Sequence, residues 1–237
     1  MPFLLMDTST RALTLGLQEA EAVWGGIYHD IGPFSRDLLL SITRFLAQHG
    51  KKPADIQGML IGAGPGSYTG LRIGFMAAKM LALVYGIPLF GIHTLYVRAW
   101  QCLKEHPELA GRAVTLLFRG RRGEVYSGRL RFCSLSVPVA KKQMLVQAPA
   151  RIFRLKQWPH GACLNSSTVV IGDAVDLLPE NSRQFHAIHI THGTLSARSM
   201  AEMRQCAWQY RDICAAEPLY LRKSDAELSM EEKKHDD

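Results

Sequence analysis

Three stretches of this chain carry residue types that could do chemistry. The first is GAGPGSYTGLRIG, Gly62 to Gly74, a run of glycines and hydroxyls that leads from an apolar strand into a helical pattern, as a phosphate-holding turn does. A Walker-type loop closes on Lys-Ser or Lys-Thr, because the lysine sets positive charge on the outer phosphates and the hydroxyl holds magnesium. Here Leu71 stands where that lysine belongs, and the dinucleotide spacing also fails, with Thr69 in place of the third glycine. The glycines are better explained by a tight strand-to-helix turn, with Ser67 or Thr69 capping the helix that follows.

The second stretch is MDTST, Met6 to Thr10, which ends an apolar strand with a carboxylate and hydroxyls. Such an aspartate can hold a nucleotide's metal and can equally form the turn. Asp7, Gly64, Gly66, Ser67 and Thr69 together read as a degenerate phosphate-loop-like set. The third stretch, HAIHITH from His186 to His192, spaces histidines at i, i+3 and i+6. On a strand this spacing alternates faces, so the three cannot converge on one ion. No HExxH pair and no GxSxG elbow occurs, and the five scattered cysteines form no CxxC pair. The sequence predicts no metal site, no cofactor and no catalytic nucleophile with its base.

The elements that must position these residues follow from hydrophobic periodicity. Phe3 to Asp7, Leu13 to Gln18 and Ala22 to His29 read as a three-stranded meander. Helix is predicted from Ser35 to about Gln48, strand from Asp55 to Gly62, helix from Thr69 to Tyr85 and strand from Pro88 to Ile92. After a helical His93 to Leu103 the pattern restarts, with strands at Val114 to Arg119, Glu124 to Phe132, Val137 to Val146 and Thr168 to Gly172, then a helix capped by Ser196 and running through Ile213. The spans define a first α/β half over 1–105, a second over 106–223 with helix 197–213 packing back on the first, and a mobile charged tail over 224–237.

The 237 residues are 47% hydrophobic and 21% charged, an ordinary globular balance with room for a sizeable core. No apolar run reaches the length of a membrane span and the N-terminus has no signal-peptide pattern, so a cytoplasmic protein is expected. The net charge of +7 is unevenly placed: from Arg112 to Lys156 eleven Arg and Lys face Glu124 alone, a local net of +10. Such a field attracts polyanions, although charged runs are often only solvated surface.

The motifs resemble those of the TsaB family, also called YeaZ, partner subunits in bacterial tRNA threonylcarbamoyladenosine synthesis. The likeness rests on LLMDTST (Leu4–Thr10), GPGSYTGLRIG (Gly64–Gly74), GIHTL (Gly91–Leu95), RRGEVY (Arg121–Tyr126), IGDA (Ile171–Ala174) and PLYLR (Pro218–Arg222), which span nearly the whole chain in the family's order. The resemblance implies an α/β fold of two actin-like or sugar-kinase-like (ASKHA superfamily) halves, each a mixed sheet flanked by helices. It also implies a non-catalytic scaffold that heterodimerises with a TsaD-like catalytic subunit, to which a TsaE-like ATPase docks, for threonylcarbamoyl transfer to the adenosine beside the tRNA anticodon. One departure stands out: Arg119 occupies the place of an aspartate usual in the family.

The helix after the glycine loop is apolar on nearly every side, so more than one side must be buried. The small-residue face Leu71, Gly74, Phe75, Ala78 and Ala82 is assigned to the partner, with Leu40, Thr43 and Ala47 of the preceding helix beside it. A helix sandwiched inside its own domain is the alternative. Arg119, Arg121 and Arg122 are candidate tRNA contacts in the assembled complex, and monomer or homodimer stays open for the free chain. The rival to the scaffold is an autonomous enzyme of the same superfamily, an ATP-dependent kinase or a peptidase.

Overall fold

A computed structural model describes residues 1–28, 34–120, 123–132, 144–154, 168–178, 186–190 and 194–221. Strands β1 (Phe3–Asp7), β2 (Leu13–Glu19) and β3 (Ala22–Tyr28) form the expected antiparallel meander. Strand β4 (Gly58–Gly64) pairs parallel with β1, and β5 (Leu89–His93) parallel with β4. Helices α1 (Phe34–Gln48) and α2 (Tyr68–Tyr85) are the crossovers between them, and α2 stops where Gly86 takes the left-handed conformation at φ 63°. The alternation of β1 then decides what packs where. Leu4 and Met6 meet Leu38, Ile42, Phe45, Phe75, Ala78 and Leu81 of the two helices, whereas Leu5 points into a separate cluster on the opposite face.

That opposite face is covered by α3 (Thr94–Glu105) and α4 (Ala197–Glu202), which also bury the inner face of a second sheet. The second sheet has strands β6 (Ala113–Arg119), β7 (Glu124–Phe132), β8 (Met144–Arg154), β9 (Val169–Gly172) and β10 (His186–His189), in the order β10-β9-β6-β7-β8. Strands β6, β7 and β8 are antiparallel, while β9 runs parallel to both β6 and β10. The layers therefore run helices, sheet, helices, sheet. The two sheets share one core, in which Leu5, Leu60 and Ile92 of the first and Leu116, Phe118 and Ile171 of the second enclose Val97, Trp100 and Met200. Among the described residues no helix is long and apolar enough to cross a membrane.

The helix expected from Ser196 to Ile213 is much shorter. Its cap forms as predicted, with Ser199 N donating to Ser196 Oγ at 3.0 Å, but the helix ends at Glu202. Trp208 and Gln209 instead form β11, antiparallel to β5, and Tyr210 N donates to Leu89 O at 3.0 Å. The open edge of β5 offers these residues ladder bonds and a site for the indole over Gly91, where a Cβ would lie 2.8 Å from the ring. Tertiary pairing thus overrides the helical spacing of Met203, Ala207 and Tyr210. The strand expected from Asp55 begins at Gly58, after a 3-10 turn over Pro53–Asp55 that fixes the N-terminal end. The strand expected from Val137 is described from Met144; residues 133–143 and the tail 224–237 lie outside the described residues.

Helix α4 touches the first sheet where two glycines make room: a Cβ on either Gly16 of β2 or Gly25 of β3 would collide with the Ala197 side chain. Its far end is tied to α3, with Trp100 Nε1 and Lys104 Nζ both donating to Glu202 at 2.9 Å and 2.6 Å. Replacing Ala197 with Leu forces a larger side chain into this close contact, at a cost of about 2 kcal/mol, or roughly 4–8 °C in Tm. Thermal unfolding of the Ala197→Leu variant measures it, and an unchanged Tm shows that the helix can lift off the sheet without penalty.

Candidate functional site

The ends of β1, β4 and β5 meet under the glycine loop. Gly66, Gly70 and Gly74 recur every four residues, so they line one side of the loop and the first turns of α2. The β1–β2 turn sits in the groove they leave: a Cβ on Gly66 would strike Ser9 O, one on Gly70 would strike Thr8 O, and one on Gly74 would strike Thr8 Oγ1. Glycine inside a helix costs roughly 0.5–1 kcal/mol relative to alanine, which this close approach offsets. Ser67 N donates to Ser9 O at 2.7 Å, and Ser67 Oγ caps the helix by accepting from Gly70 N at 3.2 Å. Thr69, the other predicted cap, is exposed. The β1–β2 turn therefore packs directly against the glycine side of the loop and of the first turns of α2.

Asp7 is fully buried below this turn and leans on Gly62, where a Cβ would overlap Asp7 Oδ1. Its Oδ2 accepts from Ser9 Oγ at 2.9 Å and from Ser9 N at 3.3 Å, and its Oδ1 has no hydrogen-bond partner. Burial pushes the carboxyl up to about 6, against the Ser9 hydrogen bonds and the Arg98 charge that pull it down. At the end of β5, the His93 ring stacks on Tyr96 at 3.9 Å, its Nδ1 is unpartnered, and burial pushes it down to about 4. Thr94 Oγ1 accepts from Gly64 N at 3.0 Å, which ties the loop to α3. Among the described residues no group of three or more His, Cys, Asp and Glu could hold a metal ion.

Arg98 links this region to the second sheet. Its guanidinium lies 4.0 Å from the centre of the Phe118 ring and donates to Asp173 at 2.8 Å. Asp173 also accepts from Arg119 N at 2.7 Å, while the Arg119 side chain binds Asp173 O and forms an ion pair with Asp176. Arg119 is thus committed inside the second half, and this charge pairing accommodates the departure noted in the sequence. Arg121 and Arg122 lie outside the described residues.

The predicted partner face of α2 is inverted. Leu71, Gly74, Phe75, Ala78 and Ala82 are all buried inside the chain's own fold, with Phe75, Ala78 and Ala82 against α1 and the first sheet and Gly74 against Thr8. The small residues set the distance to the chain's own turn and helix rather than to another molecule. The surface of α2 is formed by Met76 (69% exposed), Met80 (41%), Leu83 (54%) and Val84 (67%), beside Leu39 and Leu40 on α1. Leu40, Thr43 and Ala47 are exposed, as residues outside the core face of α1 should be. Met76 and Leu83 were missed although the helix has a narrow polar strip of Arg72 and Lys79, one turn before each of them, which marks the exposed side; side-chain size was a second signal.

At the N-terminal end of this stripe a cleft of about 570 Å³ opens between α2 and residues 216–221, lined by Tyr68, Arg72, Met76, Lys79, Glu217 and Tyr220. Its walls are fixed by Leu219 N donating to Ala63 O at 2.7 Å and by Lys79 Nζ donating to Cys214 O and Ala216 O. Tyr68 and Tyr220 face each other across 5.0 Å, and Arg72 donates to Tyr68 Oη at 3.2 Å. Met76 belongs both to this cleft and to the apolar stripe.

Two mixed sheets enclosing helices, with a glycine loop and an aspartate at the ends of the first sheet's parallel strands, define an α/β protein of the actin-like, ASKHA class. Two Pseudomonas aeruginosa structures share the fold: YeaZ at TM-score 0.70 and 17% identity over 92% of this chain and 100% of that one, and an uncharacterized protein similar to peptidase YEAZ at TM-score 0.72 and 19% identity over 93% and 99%. The family model described as TsaD, tRNA N6-adenosine threonylcarbamoyltransferase, matches residues 33–216. The chain is 25% identical to the tRNA threonylcarbamoyladenosine biosynthesis protein TsaB of Escherichia coli (strain K12), over 94% of its own length and 96% of that protein. With the TsaB of Bacillus subtilis (strain 168) it shares 30% identity over 54% of each chain. The chain belongs to this family, on its TsaB/YeaZ branch.

Asp7 and His93 oppose each other in pH dependence. The raised Asp7 value makes a contribution to stability that is present below pH 3.8 and lost as pH rises through about 6. The lowered His93 value makes one that is present above pH 6.5 and lost as pH falls through about 4. Each is worth about 3 kcal/mol, so they largely cancel between pH 4 and 6.5. In urea unfolding across this range, Asp7→Asn should gain about 3 kcal/mol relative to wild type as pH rises, and His93→Gln should lose about as much. Curves parallel to wild type in both variants refute the assignment.

Proposed function

We propose that the chain is a non-catalytic, activating subunit that pairs with a TsaD-like catalytic subunit for threonylcarbamoyl transfer to tRNA, with a TsaE-like ATPase docking on the pair. The observation that carries this reading is the exposed apolar stripe Met76, Met80, Leu83 and Val84 beside Leu39 and Leu40. Large apolar side chains exposed contiguously on two adjacent helices mark an interaction surface. Methionine suits such a surface because its flexible thioether adapts to a partner. The glycine groove filled by the β1–β2 turn, with Leu71 where a phosphate loop has its lysine, supports a structural rather than a nucleotide-hydrolysing part. The TsaB relatives are tRNA threonylcarbamoyladenosine biosynthesis proteins, and the pathway is taken from them.

Two substitutions two residues apart on the same helix test this. Met80→Asp places a charge on the stripe, leaves the core intact and should shift Tm by no more than a few degrees, while weakening the complex with a TsaD-like subunit at least 100-fold, since an unpaired buried charge costs several kcal/mol. Ala78→Arg puts a charge into the fully buried position between α2 and the first sheet and should prevent folding. Size-exclusion mixing with thermal unfolding reads both. A folded Met80→Asp chain that forms the complex with wild-type affinity removes the stripe from the interface.

A further inference from the structure

The outer face of the second sheet divides into two unlike ends. Toward β9 it is apolar, with Leu117, Val125 and Val170 covered by Ala174, Val175 and Leu178. Toward the other end the same face carries Arg129, Arg131 and Arg151. The register places them: Leu117 lies opposite Ser127, Thr115 opposite Arg129 and Ala113 opposite Arg131, so Ser127, Arg129 and Arg131 share the face of Leu117. On the neighbouring strand Arg151 lies opposite Ser127 and therefore on the same face. Residues two apart on a strand are roughly 7 Å apart and strands about 4.8 Å apart, which puts three guanidinium-bearing positions within about 15 Å.

Among the described residues these arginines have no neutralising partner. Arg131 and Arg151 are exposed and Arg129 half-buried, and no carboxylate of the described residues forms an ion pair with any of them. Arg131 makes one hydrogen bond, to Gly111 O at 3.3 Å. Of the acids of this half, Asp173 is committed to Arg98 and Arg119 and Asp176 to Arg119, while Glu124 lies at the other end of β7, opposite Arg154. Among the described side chains between the arginines, Ala113, Thr115, Ser127 and Ala148 are small, so the cations stand out on this end of the face. Like charges this close repel across a Debye length of about 8 Å, and a polyanion relieves that repulsion.

We propose that Arg129, Arg131 and Arg151 bind the phosphate backbone of a structured RNA, the tRNA substrate, and take no part in base selection. No exposed aromatic ring accompanies them among the described residues, since Phe153 packs into the apolar end, so the face lacks the stacking platform of a single-strand binder. Guanidinium groups without such a platform position a backbone and do not read bases. Among the described side chains at this end Val146 is the one large apolar group that is exposed, too little to insert into a lipid surface, which favours RNA. That the RNA is tRNA rests on the function proposed above; the phosphate-binding face does not.

The test uses the full chain, a fluorescent unmodified tRNA transcript and anisotropy titrations between about 50 and 200 mM KCl, the range over which counterion release is steep. The Arg129→Gln, Arg131→Gln, Arg151→Gln triple variant should bind at least tenfold more weakly at low salt, with the slope of log K against log salt reduced by about 2–3. A control variant with the same charge loss elsewhere, Lys52→Gln, Arg11→Gln, Arg211→Gln, should keep most of the affinity and the slope. Equal losses in both variants mean that only net charge matters and overturn the proposal, as does unchanged binding by a triple variant of wild-type Tm. Loss of binding to phosphatidylserine vesicles with tRNA binding intact also overturns it, in favour of a membrane surface. RNA binding through this face by a chain that fails to form a TsaD complex would deny the function and leave the site standing, whereas full complex activity with unchanged tRNA affinity in the triple variant would deny the site alone.

Discussion

The seating of the Asp7-Thr8-Ser9 turn in the groove of Gly66, Gly70 and Gly74 is the contact on which the first half depends. It brings the N-terminus of α2 against the end of β1 with no side chain between, and so fixes the helix at the closest distance two backbones allow. Once α2 is held there, its rotation is settled: Phe75, Ala78 and Leu81 must face the sheet and α1, and Met76, Met80 and Leu83 must face away. The same contact removes the loop from the role its composition suggests. The Ser67 N–H is bonded to Ser9 O and the glycine groove is occupied by the turn, so these groups serve packing.

The polar groups between the halves show what such a site becomes when it is closed. Asp7, Thr8 and His93 keep buried atoms without partners, and desolvation works against the charged form of both titratable groups, raising the carboxyl to about 6 and lowering the imidazole to about 4. Arg98, the nearest cation acting on Asp7, is directed instead at Asp173 and the Phe118 ring, where it joins the sheets. The Arg98 charge thus holds the halves together.

What remains for recognition lies on the outside. The stripe on α1 and α2, the tyrosine-lined cleft that continues it past Met76 and the arginine end of the second sheet are separate surfaces of different chemistry, one apolar, one mixed and one cationic. These exposed surfaces are where the association proposed above would take place.

Much of this was written locally in the sequence. The strands and the first three helices are short-range patterns of period 2 and 3.6, and Ser67, Gly86 and Ser196 mark their helix ends by capping chemistry that involves only neighbouring residues. The missing lysine at Leu71 and the divergent spacing of His186 and His189 likewise argued against a phosphate or metal site from sequence alone. Only tertiary structure could decide which way α2 faces, because a small-residue face reads the same whether its own turn or a foreign helix lies against it. It also decided that the chain after Glu202 leaves the helix to pair with β5, since a sheet edge offers hydrogen bonds that no local propensity records. Which cations are free was settled in the same way: Arg119 is paired and Arg129 is not because Asp173 and Asp176 reach one and not the other, and the approach of residues more than fifty positions apart is a property of the fold.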